Sequence, residues 1–163
     1  MSHFLGTHQN RLDSKSRVSV PASFRAALRS PGQDAGTTSA SLVLRPSHKH
    51  ACIEAWPALV FNELATPLKT MDLFSEDADD LTTALYADAW PVEPDKEGRI
   101  VLPDSLVHYA GLNDAVVFMG LGRQFQIWEP AAAARRTAEA RERARSRALT
   151  LPGSPTPANK EAA

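Results

Sequence analysis

Short runs in which apolar and polar residues alternate dominate this chain up to about residue 130, each closed by a turn residue, and helical spacing appears only in brief stretches between them. Phe4 to Leu12 reads as a strand, with Gly6 marking a bulge or a close approach. Asp13 to Ser16 is polar and turn-like, and Arg17 to Val20 resumes the strand with Val18 and Val20 on one face. Pro21 suits the first position of a helix, where its missing N–H costs nothing. Phe24, Ala27 and Leu28 then recur at helical spacing until Ser30-Pro31-Gly32 stops the element. A polar, glycine-bearing loop occupies 31–40. Ser41–Arg45 and Ala51–Trp56 are two further strands around Pro46-Ser47-His48. Pro57–Thr66 carries Leu59, Val60 and Leu64 as a short helix, and Glu76–Tyr86 is a second helix whose acidic first turn suits the helix dipole.

The same series then starts again. Trp90–Glu93 enters as a strand, Pro94–Gly98 turns, Ile100–Leu102 is the next strand and Pro103 opens a helix with Leu106 and Ala110 facing inward. Gly111-Leu112 has the form of a helix stop. Ala115–Met119 and Gln124–Trp128 make a hairpin around Gly120-Leu121-Gly122. One phrase occurs twice at identical spacing: Asp13-Ser14-Lys15-Ser16-Arg17-Val18-Ser19-Val20-Pro21 returns as Asp95-Lys96-Glu97-Gly98-Arg99-Ile100-Val101-Leu102-Pro103. Ile53-Glu54-Ala55-Trp56-Pro57 is echoed by Phe125-Gln126-Ile127-Trp128-Glu129-Pro130. A repeat of this kind means one supersecondary unit built twice. The expected organisation is a first unit over 7–55, a helical connector over 56–88, a second unit over 89–132, and a tail over 133–163. Each unit reads β-turn-β-α-β-β-α, so the fold class is α+β and rich in strand. Units of about 50 residues bury too little surface to stand alone, so the two should share a core or oligomerise. Ala131–Leu149 is a strong helix former without a wide apolar stripe, and 152–163 has the composition of a disordered tail.

Composition adds exclusions. No apolar run approaches the ~18 residues of a membrane span. The N-terminus lacks the features of a signal peptide, and Cys52 is the only cysteine, so a soluble cytoplasmic protein without internal disulfides is expected. The net charge of −1 conceals polarity. Residues 1–49 hold seven basic side chains against two acidic, residues 50–130 four against fourteen, and the remainder seven against three. The basic segments point to an anionic partner, or else opposite segments pair within or between subunits.

Candidate chemistry centres on the repeated turn. Asp13 and Arg17 can bridge across it, but an exposed ion pair contributes only about 0–1 kcal/mol, so stability alone is a weak reason for it. Oriented by Asp13, Arg17 can bind phosphate or the O6/N7 edge of guanine with two parallel bonds, while Lys15 acts as a point charge and Arg11 stands on the adjoining strand. The second turn repeats Asp95 and Arg99 with Gly98 between them. Glu93 and Glu97 make its surroundings acidic, so it is expected to be mainly structural, with Lys96 and Arg99 kept as candidate DNA contacts. His48, His50 and Cys52 alternate, but a structural zinc takes four ligands in recognised pairs and no second pair stands nearby. No metal or cofactor is therefore expected, and His8 is read as a strand-face histidine. Trp56 and Trp128 end equivalent strands as core or interface aromatics; Asp72, Glu76, Asp77, Asp79 and Asp80 form a solvated acidic cluster. No phosphate-cradling Gly-rich loop, zinc signature or nucleophile–base motif is present, so no catalytic residue is assigned. The Arg135–Arg147 stretch is expected to add non-specific phosphate contacts, to stand as an exposed helix, or to dock on the acidic middle of a neighbour.

Phe4-Leu5-Gly6-Thr7, Leu12-Asp13-Ser14-Lys15, the phrase from Arg17 to Pro21, its return over 95–103 and His108-Tyr109-Ala110-Gly111-Leu112 together resemble the MraZ family of bacterial transcriptional regulators, built from two SpoVT/AbrB-like units. The resemblance covers residues 4 to about 130. It implies a duplicated swapped-hairpin β-barrel with flanking short helices and a C-terminal helical tail, a homo-oligomeric ring, and a nucleoid-associated protein. It also implies sequence-specific binding to short double-stranded promoter repeats upstream of division and cell-wall genes, with repression of its own operon as the simplest outcome. The rival expectation is an antitoxin-like oligomeric module that binds a protein partner without specific DNA binding. The family pattern carries glycine where this chain has Ser16, which must either adopt a left-handed backbone, at roughly 1 kcal/mol, or use another turn geometry.

Overall fold

The computed structural model describes residues 3–29 and 41–153; the helix stop at Ser30-Pro31-Gly32, the loop through residue 40 and the tail from 154 lie outside the described residues. In chain order the elements are β1 (Thr7–Arg11), β2 (Arg17–Ser19), α1 (Ala22–Leu28), β3 (Leu42–Pro46), β4 (Ile53–Pro57), α2 (Ala58–Leu64), a 3-10 helix (Thr66–Thr70), α3 (Glu76–Tyr86), β5 (Trp90–Val92), β6 (Arg99–Val101), α4 (Asp104–Tyr109), β7 (Ala115–Gly120), β8 (Phe125–Trp128) and α5 (Pro130–Ser146). The chain is α+β, and every pairing among the described strands is antiparallel. It divides after Ala133 into two compact units, the second of which holds the rest of α5.

In the first unit the strands form a six-stranded sheet of order β1-β7-β8-β4-β3-β5 and a separate two-stranded ribbon of β2 and β6. Among the described strands β1 and β5 are not paired with each other, so the large sheet is an open series. The two halves of the chain are interleaved: β1 pairs with β7, β5 with β3, β4 with β8 and β2 with β6. Exchanging each element for its repeat partner leaves the strand order unchanged, which makes the unit a pseudo-dyad. The register locates the axis. Val18 faces Ile100 and Glu54 faces Gln126, and both are pairs of repeat-equivalent residues.

Alternation along the strands sends one set of side chains into the space between sheet and ribbon. Leu42, Leu44, Ile53, Ala55, Val116, Phe118, Phe125 and Ile127 meet Val18, Val20, Ile100 and Leu102 there, closed by Phe24 of α1 and Leu106 of α4. Phe24 lies 5.3 Å from Phe4, 5.0 Å from Phe125 and 6.3 Å from Phe118, ring centre to ring centre, and the His8 ring, as expected for a strand-face histidine, packs against it at 5.1 Å. A side chain of this size contributes about 1.5–3 kcal/mol when fully buried. Gly6 takes a left-handed backbone, φ +87°, but the close approach falls at Gly120, where a Cβ would stand 2.6 Å from the Phe4 carbonyl.

Three prolines act one position earlier than their sequence context implied. Pro21, Pro57 and Pro103 have ψ between 138° and 141° and cap their helices instead of entering them. The extended ψ lets the chain pass from extended backbone into a helix at one residue; the Pro21 carbonyl, for example, accepts the Phe24 and Arg25 N–H groups. The helix expected to run to Thr66 stops at Leu64 and tightens into the 3-10 helix, because Pro67 has no N–H to continue an α-helical ladder.

The outer sheet face shows how the two halves diverged. Across β7, β8 and the start of α5, Val117, Met119, Trp128, Cys52 and Ala133 form a second apolar cluster. The related position to Met119 on β3 is Arg45, buried, bonded to Glu54 at 2.7 Å and to the Ala84 carbonyl of α3 at 3.0 Å. Glu54 also accepts the Trp56 indole at 3.1 Å, just as Gln126 accepts that of Trp128 at 2.8 Å. The charged pair in one half thus occupies the place of a neutral Met119 and Gln126 in the other.

Removing one partner of a buried ion pair strands the other charge. Arg45→Met alone should cost about 3–5 kcal/mol in urea unfolding. Combining it with Glu54→Gln, which copies the other half, should bring stability back to within about 1–2 kcal/mol of wild type, the remainder being the lost Ala84 bond.

Candidate nucleic-acid interface

The repeated turn has the same construction in both copies. Asp13 Oδ1 accepts the backbone N–H groups of Lys15 and Arg17, both at 2.9 Å, and Oδ2 accepts Arg17 Nε at 2.8 Å. Asp95 Oδ1 does the same for Glu97 and Arg99, and Oδ2 takes Arg99 Nε at 3.0 Å. The Asp13 N–H donates to the Arg17 carbonyl and the Ser16 N–H to the Asp13 carbonyl, closing the loop. The motif therefore needs aspartate, whose short side chain reaches two main-chain donors and a guanidinium at once. Engaging arginine through Nε, next to the aliphatic stem, fixes the stem and leaves the Nη groups outside the bond to the aspartate.

These bonds set the charge states. Asp13 is held below the ordinary carboxylate value of 3.8, first by the Arg17 N–H and then, against desolvation, by the Arg17 side chain and the Lys15 N–H. Asp95 is lowered first by the Arg99 N–H, again against desolvation. Arg99 is raised, first by its hydrogen bond to Asp95.

Pairing between the halves brings the two arginines together. The Val20 N–H donates to Gly98 and the Leu102 N–H to Ser16, so the hydrogen-bonded positions are the ones that point Val18 and Ile100 inward. Arg17, Ser19, Arg99 and Val101 all take the opposite, outward face. Arg17 and Arg99 lie diagonally across it, a separation of about 7–8 Å in such a ribbon. Their side chains are 36% and 34% exposed, accessible although anchored. Lys15 and Lys96 are exposed on the turns at opposite ends of the antiparallel ribbon. Arg11 is separate: it lies exposed on β1, lining a shallow cavity of about 350 Å³ with Gln9, Asn10 and Asp114.

The turns differ in charge. Glu97 occupies the position that Lys15 has in the first copy and holds Arg99 Nη2 at 3.1 Å. Sequence reading missed Arg25. Its guanidinium from α1 lies against the second turn, so close that a Cβ on Gly98 would stand 2.4 Å from Nη1. The repeat-equivalent residue of α4 is Val107, and only the crossing of the halves reveals that α1 covers the turn of the other half. The choice left open at Ser16 is resolved: its φ is +59°, against +79° at Gly98, so serine takes the left-handed conformation.

The remaining candidates fall elsewhere. His48 is exposed, the His50 ring lies 5.6 Å from Trp128, and Cys52 is fully buried. Among the described residues no cluster of His, Cys, Asp or Glu is arranged to hold a metal ion, and no helix is long and apolar enough to cross a membrane.

Known proteins similar to this chain agree with one another. Residues 85–150 match the family described as "MraZ protein, putative antitoxin-like". The chain is 60% identical to a protein named transcriptional regulator MraZ from Gluconacetobacter diazotrophicus over 94% of its own length and 95% of that protein's. It is 58% identical to the protein of the same name from Gluconobacter oxydans over its whole length and 95% of the relative, and 37% identical to that of Xanthobacter autotrophicus over 89% and 88%.

Two outcomes check the turn. Ser16→Gly should raise stability by about 0.5 kcal/mol, relief of left-handed strain outweighing the extra entropy of the unfolded chain, whereas Gly98→Ala should lower it by about 1–2 kcal/mol. In a carboxyl NMR titration Asp13 and Asp95 should titrate below 3.8. Because the folded values are depressed, their contribution to stability is complete above the ordinary carboxylate pKa and disappears as pH falls through the folded one. Arg17→Ala should raise Asp13 only part of the way, since the main-chain donors remain.

Proposed function

This chain belongs to the MraZ family, and from that premise we propose that it is a sequence-specific DNA-binding regulator of transcription whose β2–β6 ribbon enters the major groove. The observation that carries this reading is the outward ribbon face, where two arginines are each aimed by an aspartate through Nε. A two-stranded ribbon fits the major groove, and a guanidinium presented by its edge matches guanine O6 and N7. Lys15 supplies phosphate charge at the first turn. Lys96, and Arg99 once exchanged from Glu97, supply a weaker set at the second, and Arg11 is a peripheral contact.

One ribbon makes few contacts. A homo-oligomeric ring presenting several ribbons to tandem promoter repeats would raise avidity about 10²–10⁴-fold. In the same reading the interleaved halves form the subunit's swapped-hairpin barrel, and the bound ring represses its own operon at the nucleoid. The antitoxin wording attached to the family favours a second reading, in which the same scaffold binds a protein.

Gel shifts on the DNA upstream of this gene distinguish them. Arg17→Ala should lower specific affinity at least about 100-fold with the oligomer intact, and Arg17→Lys should retain salt-dependent binding but lose sequence preference. Lys15→Ala should weaken binding to all sequences alike and flatten the salt slope by about one unit per ribbon. Unchanged operator affinity in Arg17→Ala would refute the role given to it. A stoichiometric protein partner, with no DNA affinity, would favour the second reading.

A further inference from the structure

The ribbon's backbone is dyadic, but its outward side chains are not. Arg17 faces Val101, and Arg99 faces Ser19. Since the bonded pairs are Val20 with Gly98 and Leu102 with Ser16, these two are non-hydrogen-bonded pairs, whose side chains stand closest, with Cα atoms about 4.5 Å apart. Val101 is 57% exposed, a β-branched apolar residue on the same face as both arginines. Its inward neighbours Ile100 and Leu102 are fully buried, so the core does not require it. On its outer side it borders an open cleft of about 590 Å³ with Trp90 and Val92. In the first half the corresponding cleft is bridged: Asn10 Nδ2, at the position of Val92, donates to the Ser19 carbonyl at 2.6 Å.

We propose that Val101 reads a base, packing its methyl groups on the C5-methyl of a thymine one step from the base pair that Arg17 contacts. This rests on the ribbon entering the major groove. The thymine methyl is the apolar group that base edges present there. The Cα separation of about 4.5 Å in a non-hydrogen-bonded pair lets two side chains reach bases one 3.4 Å step apart. Ser19, its dyad mate, carries a hydroxyl that can donate or accept and so discriminates little. The two ends of the ribbon thereby read different chemistry from one backbone geometry.

The test uses the full-length protein and a duplex it selects from a random-sequence pool, with each thymidine replaced singly by deoxyuridine, which deletes only the methyl. At one position, next to the guanine on which Arg17 depends, wild-type affinity should fall about three- to five-fold, as loss of one buried methyl predicts. Val101→Ser should bind the thymidine and deoxyuridine duplexes equally, and the isosteric Val101→Thr, which preserves the ribbon, should show an intermediate ratio. Ser19→Val should gain methyl sensitivity at a second position. If every replacement weakens wild type and Val101→Ser by the same factor, Val101 reads no methyl although the ribbon reading stands. If the wild-type chain binds no duplex, the ribbon reading falls and this assignment with it.

Discussion

The pairing of Val18 with Ile100 across the pseudo-dyad is the contact on which the rest of this molecule depends. Each repeated hairpin contributes one strand to the large sheet and one to the ribbon, and among the described residues neither ribbon strand has a partner within its own half. Three residues from each half close that gap. In doing so they turn Val18, Val20, Ile100 and Leu102 into the floor of the core and direct Arg17 and Arg99 outward. A slip of one residue would exchange these faces, burying two guanidinium groups and exposing the aliphatic floor. Packing of the core and placement of the cations are therefore one constraint.

On that symmetric frame the two halves have been decorated differently. Arg45 and Glu54 correspond to Met119 and Gln126, Lys15 to Glu97, Ser16 to Gly98, Ser19 to Val101 and Arg25 to Val107. The first two differences arise from the same tolerance: a backbone duplicated by pairing fixes where side chains sit and leaves their charge free, provided each buried group finds a partner. Arg45 meets that condition at its two Nη groups, through Glu54 and the Ala84 carbonyl, tying α3 to the sheet, although its buried Nε has no hydrogen-bond partner among the described residues. The differences between Lys15 and Glu97 and between Ser19 and Val101 fall on exposed positions. One turn remains cationic. The other holds its arginine between Asp95 and Glu97.

Much of this was legible in the chain because it was written in local chemistry. Alternation located the strands to within a residue or two, except that β1 begins at Thr7, three residues after the expected Phe4, which makes only an isolated bridge to Gly122. The acidic turn after Ser75 marked α3, whose bounds are those expected, and Asp-x-x-x-Arg marked both turns. Proline gave an ambiguous signal, since a fixed φ suits the first helical residue and the residue before it equally, and ψ decided for the latter. The helix after β4 ends at Leu64, short of the expected Thr66, because Pro67 just beyond cannot continue the ladder.

What the chain determined alone is the inventory: which residues alternate, where it turns, that one unit occurs twice, and that Asp13 and Asp95 stand four residues before an arginine. Which half pairs with which is absent from that inventory, because hydrogen bonds between strands are formed by main-chain groups common to every residue. Only the tertiary structure decided that β2 takes β6 as partner, that Arg17 faces Val101, and that Arg25 covers the turn of the opposite half. Those neighbours are far apart in sequence and are brought together by a shared core, whose closure is a property of all its side chains at once.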